Sequence, residues 1–136
     1  MYGEYEALEL RRRVQLVGQM PVTFPGTVAD NVGGDTRALL ARVGLDLSLA
    51  AREADRPSVG EAQRMALARS LALGPEVLAL DEPTSALDVA NKAGIEQLVR
   101  ELADSGLTVV MVSHDPRHAE LADHVIEVRP LNREEP

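Results

Sequence analysis

A chain of 136 residues with a net charge of −8 and no cysteine has room for one buried core, a domain or a piece of one, and can build neither a disulfide framework nor a thiolate metal site. It is 45% hydrophobic, yet no apolar run approaches the ~20 residues of a membrane span, and its acidic start (Glu4, Glu6, Glu9) is unlike a signal peptide. The acidic balance argues against a nucleic-acid partner, which needs a basic face, so the composition reads as soluble and cytoplasmic.

In chain order, Val14–Val17 follows Arg11, Arg12 and Arg13 and reads as a strand, after which Pro21, Pro25 and Gly26 break the chain. Asp35 is placed to cap a helix carrying Leu39, Leu40 and Val43, with Gly44 as its stop. A shorter helical piece covers Leu47–Ala51. Ser58, with Glu61 three residues later, forms a capping-box pattern, and the helix it opens runs through Met65, Leu67 and Leu71 to Gly74–Pro75. Val77–Leu80 is continuously apolar and reads as a buried strand. From about Val89 to Ala103, Ile95, Leu98, Val99 and Leu102 share one helical face, and Gly106 ends that helix. Thr108–Val112 reads as another buried strand, Asp115–Pro116 as the opening of a short helix, and Val125–Val128 as the last strand before a polar tail. Strands alternating with helices predict an α/β fold with a parallel sheet and helical layers, and the helices between Gln19 and Gly74 read as an insertion in it.

Three places could carry chemistry. Asp81 and Glu82 directly follow a strand, at the sheet edge where open α/β sheets bind ligands. Two adjacent acids there can divide labour, one holding Mg²⁺ and the other orienting or deprotonating a water, although the same residues fit an ordinary acidic turn. His114 follows Thr108–Ser113 and should emerge at that edge, where an imidazole can meet a terminal phosphate; a histidine there is also a common structural residue. Ser58 and Gly60 stand at a helix N-terminus, whose N–H groups and dipole favour an anion. The capping box alone explains Ser58 and Glu61, but it does not explain Gly60, for which close approach of a ligand would supply a reason. His118 and His124 read as packing or surface residues.

Together, Pro57-Ser58-Val59-Gly60-Glu61-Ala62-Gln63-Arg64, Val77-Leu78-Ala79-Leu80-Asp81-Glu82-Pro83-Thr84-Ser85-Ala86-Leu87-Asp88 and Ser113-His114-Asp115 resemble the ABC ATPase family, in order and over nearly the whole chain. The resemblance implies a P-loop NTPase-like (RecA-like), mostly parallel sheet with a helical subdomain insertion. Residues from about 20 to 75 would hold the Q-loop, the helical subdomain and the signature helix; those from about 76 to 130 would hold the Walker B, D-loop and H-loop core. It implies ATP and Mg²⁺ as cofactors, a second ATPase subunit with ATP held between the two, and a membrane-spanning permease at the cytoplasmic face of the membrane. Ser58 and Gly60, with Glu61 beside them, fall on the signature motif that contacts the γ-phosphate bound by the opposite subunit. Val59 and Glu61 depart from its commonest form but leave the hydroxyl and Gly60 in place. Asp81 matches the Walker B aspartate near Mg²⁺, Glu82 the catalytic glutamate, Asp88 the end of the loop that reaches across the dimer, and His114 the switch histidine. Gln19 is similar to the Q-loop glutamine that links Mg²⁺ and the attacking water to the transporter. The segment Gln19 to Val32 resembles the surface that receives coupling helices.

The stretch between Gln19 and Ser58 is short and lacks heptads, unlike the DNA-repair and chromosome-maintenance ATPases. Gly26-Thr27-Val28-Ala29-Asp30-Asn31-Val32, Ser58-Val59-Gly60-Glu61-Ala62-Gln63-Arg64, Leu87-Asp88-Val89-Ala90-Asn91-Lys92 and Ala122–Pro130 are similar to the bacterial iron-export ATPase type. An importer ATPase of the phosphate or amino-acid type is the alternative, and so is an inactive regulatory half-domain.

The family's Gly-rich loop ending in Gly-Lys-Ser/Thr is not found, since the only lysine, Lys92, lies inside an expected helix with no glycine pattern before it. In the family that loop precedes the Q-loop by several tens of residues, so the chain reads as an N-terminally truncated subunit. In sequence order Tyr2 and Tyr5 do not match the aromatic residue that stacks on adenine. The family's sheet order implies that the three strands ending near Gln19, Asp81 and His114 still pair as neighbours. Val125–Val128 either loses its partner or closes onto Thr108–Val112, and one face of the sheet is left uncovered.

Overall fold

The computed structural model describes residues 6–130; Tyr2, Tyr5 and the tail beyond 130 lie outside them. Helix α1 (Ala7–Arg13) leads into strand β1 (Val14–Val17), followed by α2 (Val28–Val32), α3 (Thr36–Arg42) and a 3-10 turn at Leu47–Ala51. Helix α4 (Val59–Leu71), strand β2 (Val77–Asp81), helix α5 (Val89–Asp104), strand β3 (Thr108–Val112) and helix α6 (His118–Leu121) complete the order.

The starts of α2, α3, α4 and α5 are set by side-chain caps. Thr27 with Asp30 and Ser58 with Glu61 each form a two-way capping box, while Asp35 and Asp88 accept the Ala38 and Asn91 backbone N–H groups. After α4 the chain turns at Gly74 with φ +63°, a left-handed conformation that a side chain would penalise. Two short helices escaped the sequence reading. Helix α1 buries nothing and has no side-chain cap, and α2 is one turn held by its box. Helix α6 starts at His118, not at Asp115–Pro116, because Asp115 turns its carboxylate onto the Arg117 backbone N–H and its carbonyl onto that of His118.

The three strands form a parallel sheet in the order β1-β2-β3, with Val17 opposite Leu80 and Asp81 opposite Val112. All three therefore end at one edge. Helix α4 packs on β1, α2 and α3, so it joins the sheet to the helical insertion, and α5 packs on β3. Arg64 of α4 donates to the carbonyl of Val43 at 2.7 Å, just after α3. Its guanidinium also passes where a Cβ on Gly94 of α5 would stand, so a side chain there would collide with it.

The pleat divides the sheet sharply. Val17, Leu78 and Leu80 join the core with Met65, Leu67, Ile95, Leu98 and Leu102, and Val109 and Met111 are partly buried against it. The alternate positions are open, with Leu16 at 70%, Val110 at 53% and Val112 at 57% exposure. The expectation that β2 and β3 are fully buried is thus corrected: each buries alternate residues, because the described helices cover one face only. The expected strand at Val125–Val128 does not form either. This segment has no regular structure and is open to solvent, Ile126 being 88% exposed, and it neither pairs with β3 nor closes the sheet. A strand exists only when its N–H and C=O groups find a partner, and among the described residues β3 has a strand on one side alone.

Candidate functional site

At the shared strand edge, β2 ends in Asp81, an exposed carboxylate. The next residue, Glu82, has φ +46°, left-handed backbone that is costly for any residue with a Cβ. Three hydrogen bonds hold it there: its N–H donates to the Val112 carbonyl of β3 at 2.9 Å, and its own carbonyl accepts from the Ser85 N–H at 3.2 Å and the Ser85 hydroxyl at 3.1 Å. The chain turned in this way sets the Glu82 carboxylate beside His114, whose Nε2 lies 3.3 Å from Oε1. That contact is close enough for an ion pair but lacks hydrogen-bond alignment, so Oε1 is buried without a hydrogen-bond partner. His114 itself is 95% exposed.

Gln19, just past β1, reaches the same place, its amide donating to Ser85 Oγ at 3.2 Å. Four expected residues, Gln19, Asp81, Glu82 and His114, therefore gather at one edge. Ser85 ties the first to the loop of the third. Sequence reasoning quoted Ser85 only within the Pro-Thr-Ser run and gave it no role; a hydroxyl three residues beyond an acid at a strand end was the available signal.

Ser58, Gly60 and Glu61 lie elsewhere. Among the described residues, no hydrogen bond or ion pair joins them to Gln19, Asp81, Glu82 or His114. The Ser58 hydroxyl accepts the Glu61 N–H at 3.2 Å, and Glu61 Oε2 accepts the Ser58 N–H at 2.9 Å, so within this chain Glu61 serves the cap. Gly60 is required for a reason that the sequence did not disclose: a Cβ there would stand 2.7 Å from Asn91 Oδ1. Asn91 in turn donates to Asp88 from both its backbone N–H (2.8 Å) and its amide (3.0 Å). Those bonds, the backbone one foremost, hold the Asp88 carboxyl below its ordinary range. The turn at Ser58 is thus coupled to the Asp88 loop rather than to Glu82.

A second surface lies between β1 and α2, where Met20, Val22 and Phe24 are exposed. The buried Asn31 fixes this segment, bonding the Phe24 N–H at 2.8 Å and the Phe24 carbonyl at 2.9 Å. The Arg69 guanidinium sits 5.0 Å from the Phe24 ring centre, and its Nη1 is buried without a partner.

The family model described as ABC transporter matches residues 3–85, more than half of the chain. The chain belongs to the ABC transporter family, in its nucleotide-binding domain. Protein STAR1 of Oryza sativa is 43% identical to this ABC domain over 92% of the chain and 42% of the rice protein. Phosphate import ATP-binding protein PstB 2 of Mycobacterium tuberculosis is 42% identical over 85% of the chain and 48% of that protein. The ABC chain thus spans about half the length of these curated relatives. A solved dimeric ATP-binding cassette, in a post-hydrolysis state with ADP and Pi, superposes with a TM-score of 0.71 at 28% identity, covering 87% of this chain and 61% of that one. The fold is therefore that of the ABC ATPase domains, P-loop NTPase-like with a parallel sheet.

Proposed function

We propose that this chain is the C-terminal part of an ATP-hydrolysing subunit that drives transport across the cytoplasmic membrane, working as a pair with ATP between the two subunits and a permease above them. The Glu82 carboxylate carries this reading: at the edge it shares with Asp81 and Gln19 its Oε1 lies 3.3 Å from His114 Nε2 and has no hydrogen bond. A buried acceptor without a hydrogen bond is costly, and a water admitted to that edge as the site binds ATP would both satisfy the acceptor and be activated by it. The neighbouring Asp81 carboxylate is an oxygen donor suited to Mg²⁺, which would neutralise phosphate charge there. Glu82 then takes a proton from the attacking water, His114 meets the terminal phosphate, and Gln19 reports the state of the site to the exposed Met20–Phe24 surface, which receives the permease. Ser58 and Gly60 face the ATP of the opposite subunit, and Asp88 closes the loop that crosses to it.

In a complete subunit, with the phosphate-binding half supplied, Glu82→Gln should keep ATP binding and trap the nucleotide-bound dimer. Turnover should fall by roughly 10²–10⁴-fold, the usual worth of a general base. Near-normal turnover in that variant would remove Glu82 from the role. Because Lys92 is the only lysine and has no Gly-rich loop before it, the 136-residue chain alone should release phosphate from Mg·ATP no faster than a protein-free blank.

For the transported substrate, similarity of Gly26–Val32, Leu87–Lys92 and Ala122–Pro130 to the iron-export type favours metal export. The 42% identity with PstB 2, by its name a phosphate importer, favours an importer ATPase instead. Co-purification with a metal-exporting or a phosphate-importing permease separates the two.

A further inference from the structure

The turn that carries His114 is gripped from one side by successive turns of α5. Lys92 pairs with Asp115, and Glu96, four residues on and so on the same helix face, pairs with His118. His118 is only 4% exposed; its Nε2 lies 2.8 Å from Glu96 Oε1 and its Nδ1 2.6 Å from Ser113 Oγ. A carboxylate only accepts, so Nε2 carries a proton, and in the neutral ring Nδ1 then accepts the Ser113 hydroxyl. Ser113 Oγ accepts in turn from the Asp115 N–H at 3.0 Å. Both ring nitrogens of His118 thus have a partner, and the series brackets His114 on both sides without touching its ring.

Glu96, Asp115 and His118 also place three potential ligand atoms within 4.8 Å of one another. A divalent ion would need Nε2 deprotonated and Asp115 free. Instead Nε2–H points at Glu96, and Lys92 and Arg117 already neutralise Asp115.

We propose that His118 is a positioning residue for His114: through Glu96 and Ser113 it locks the turn to α5, so that the His114 imidazole pivots on a fixed backbone. The functional meaning of this lock rests on the reading of His114 given above, but the lock itself can be tested without nucleotide. The same helix begins at Asp88 and abuts Gly60 through Asn91, so one rigid rod joins the Ser58 turn to the His114 turn.

Nitrogen-15 NMR of the 136-residue chain should find His118 as the Nε2–H tautomer, and equimolar Zn²⁺ should leave its resonances in place. In His118→Leu, which keeps the bulk and loses both bonds, the Asp115 amide should exchange about tenfold faster, while the Leu98 and Leu102 amides of α5 are unchanged. His118→Asn, whose oxygen stands near the Nδ1 position, should restore most of the Asp115 protection. An Nδ1–H tautomer, a Zn²⁺-induced shift, or undiminished Asp115 protection in His118→Leu overturns the proposal. If His118→Leu does not fold, the tautomer and the Asn variant still decide. In a complete subunit His118→Leu should lower kcat more than it changes KM. If His114→Ala lowers kcat and His118→Leu does not, the proposal falls and the reading of His114 stands. If His114→Ala changes nothing, that reading falls, and the NMR result alone judges the lock.

Discussion

Leu78 and Leu80 are sealed among the core side chains, whereas Leu16 and Val110, in the same sheet and a single pleat step away, face solvent. The residue types are alike on both sides. What differs is the cover: α4 and α5 lie over one face, and nothing among the described residues lies over the other. Apolar character therefore marks where a strand can be buried, while an element packed against it decides whether it is. This sheet is dressed on one side, and its open side is the face that a partner or the rest of a longer domain would have to cover.

Truncating a side chain on each face should sharpen that contrast most. Leu80→Ala, at a fully buried site, should cost about 2–5 kcal/mol in urea unfolding, and Leu16→Ala less than about 0.5 kcal/mol. Equal losses would show that the open face is covered in solution. Charging the open face comes next. Sedimentation should show self-association of the chain that weakens at least about tenfold in the Leu16→Lys, Val110→Lys double variant, because exposed apolar patches and unpaired strand edges are adhesive. A chain that is already monomeric would break the contrast from the other side. Away from the sheet, Ser58→Ala should cost about 1 kcal/mol of thermal stability by removing the cap of α4, and Ser58→Gly only a few tenths.

The smallest effect is one of pH. The Arg117 guanidinium, and after it Lys92, hold the Asp115 carboxyl well below the usual carboxylate range. The folded chain thus binds fewer protons there than the unfolded chain does. The stability this adds is fully present above the ordinary carboxylate pKa of about 3.9 and is lost as the pH falls below it. Acid titration of Asp115→Asn should show a shallower loss of stability below about pH 4 than the parent chain.

The starts of α3 and α4 were legible in their caps, Asp35 and the Ser58–Glu61 pair, whereas the equally complete box at Thr27–Asp30 opens a helix of one turn with too few residues to show a period. The strands themselves were legible as apolar runs, but that the three ending near Gln19, Asp81 and His114 are neighbours came from the family resemblance, because an apolar run does not state its place in a sheet. Val125–Val128 was misread for a physical reason: a strand is a property of a pair, and three apolar residues in a run of four do not state whether their neighbour is present. The reason for Gly60 was equally hidden, since Asn91 lies thirty-one positions away in sequence and meets it only in the folded chain. His118 was read only as a packing or surface residue, because its two bonds depend on the meeting of α5 with the loop after β3, which no local pattern encodes.

The backbone at Glu82 sets function against thermodynamics. Its φ of +46° is the conformation that glycine adopts most cheaply, and replacing Glu82 by Gly would relieve about 1–2 kcal/mol of backbone strain, only part of which the greater freedom of glycine in the unfolded chain offsets. A selection for thermal robustness alone, blind to turnover, would therefore favour erasing the carboxylate on which the proposed chemistry depends. Where stabilised versions of this chain are sought by directed evolution or consensus design, position 82 has to be held fixed from the start.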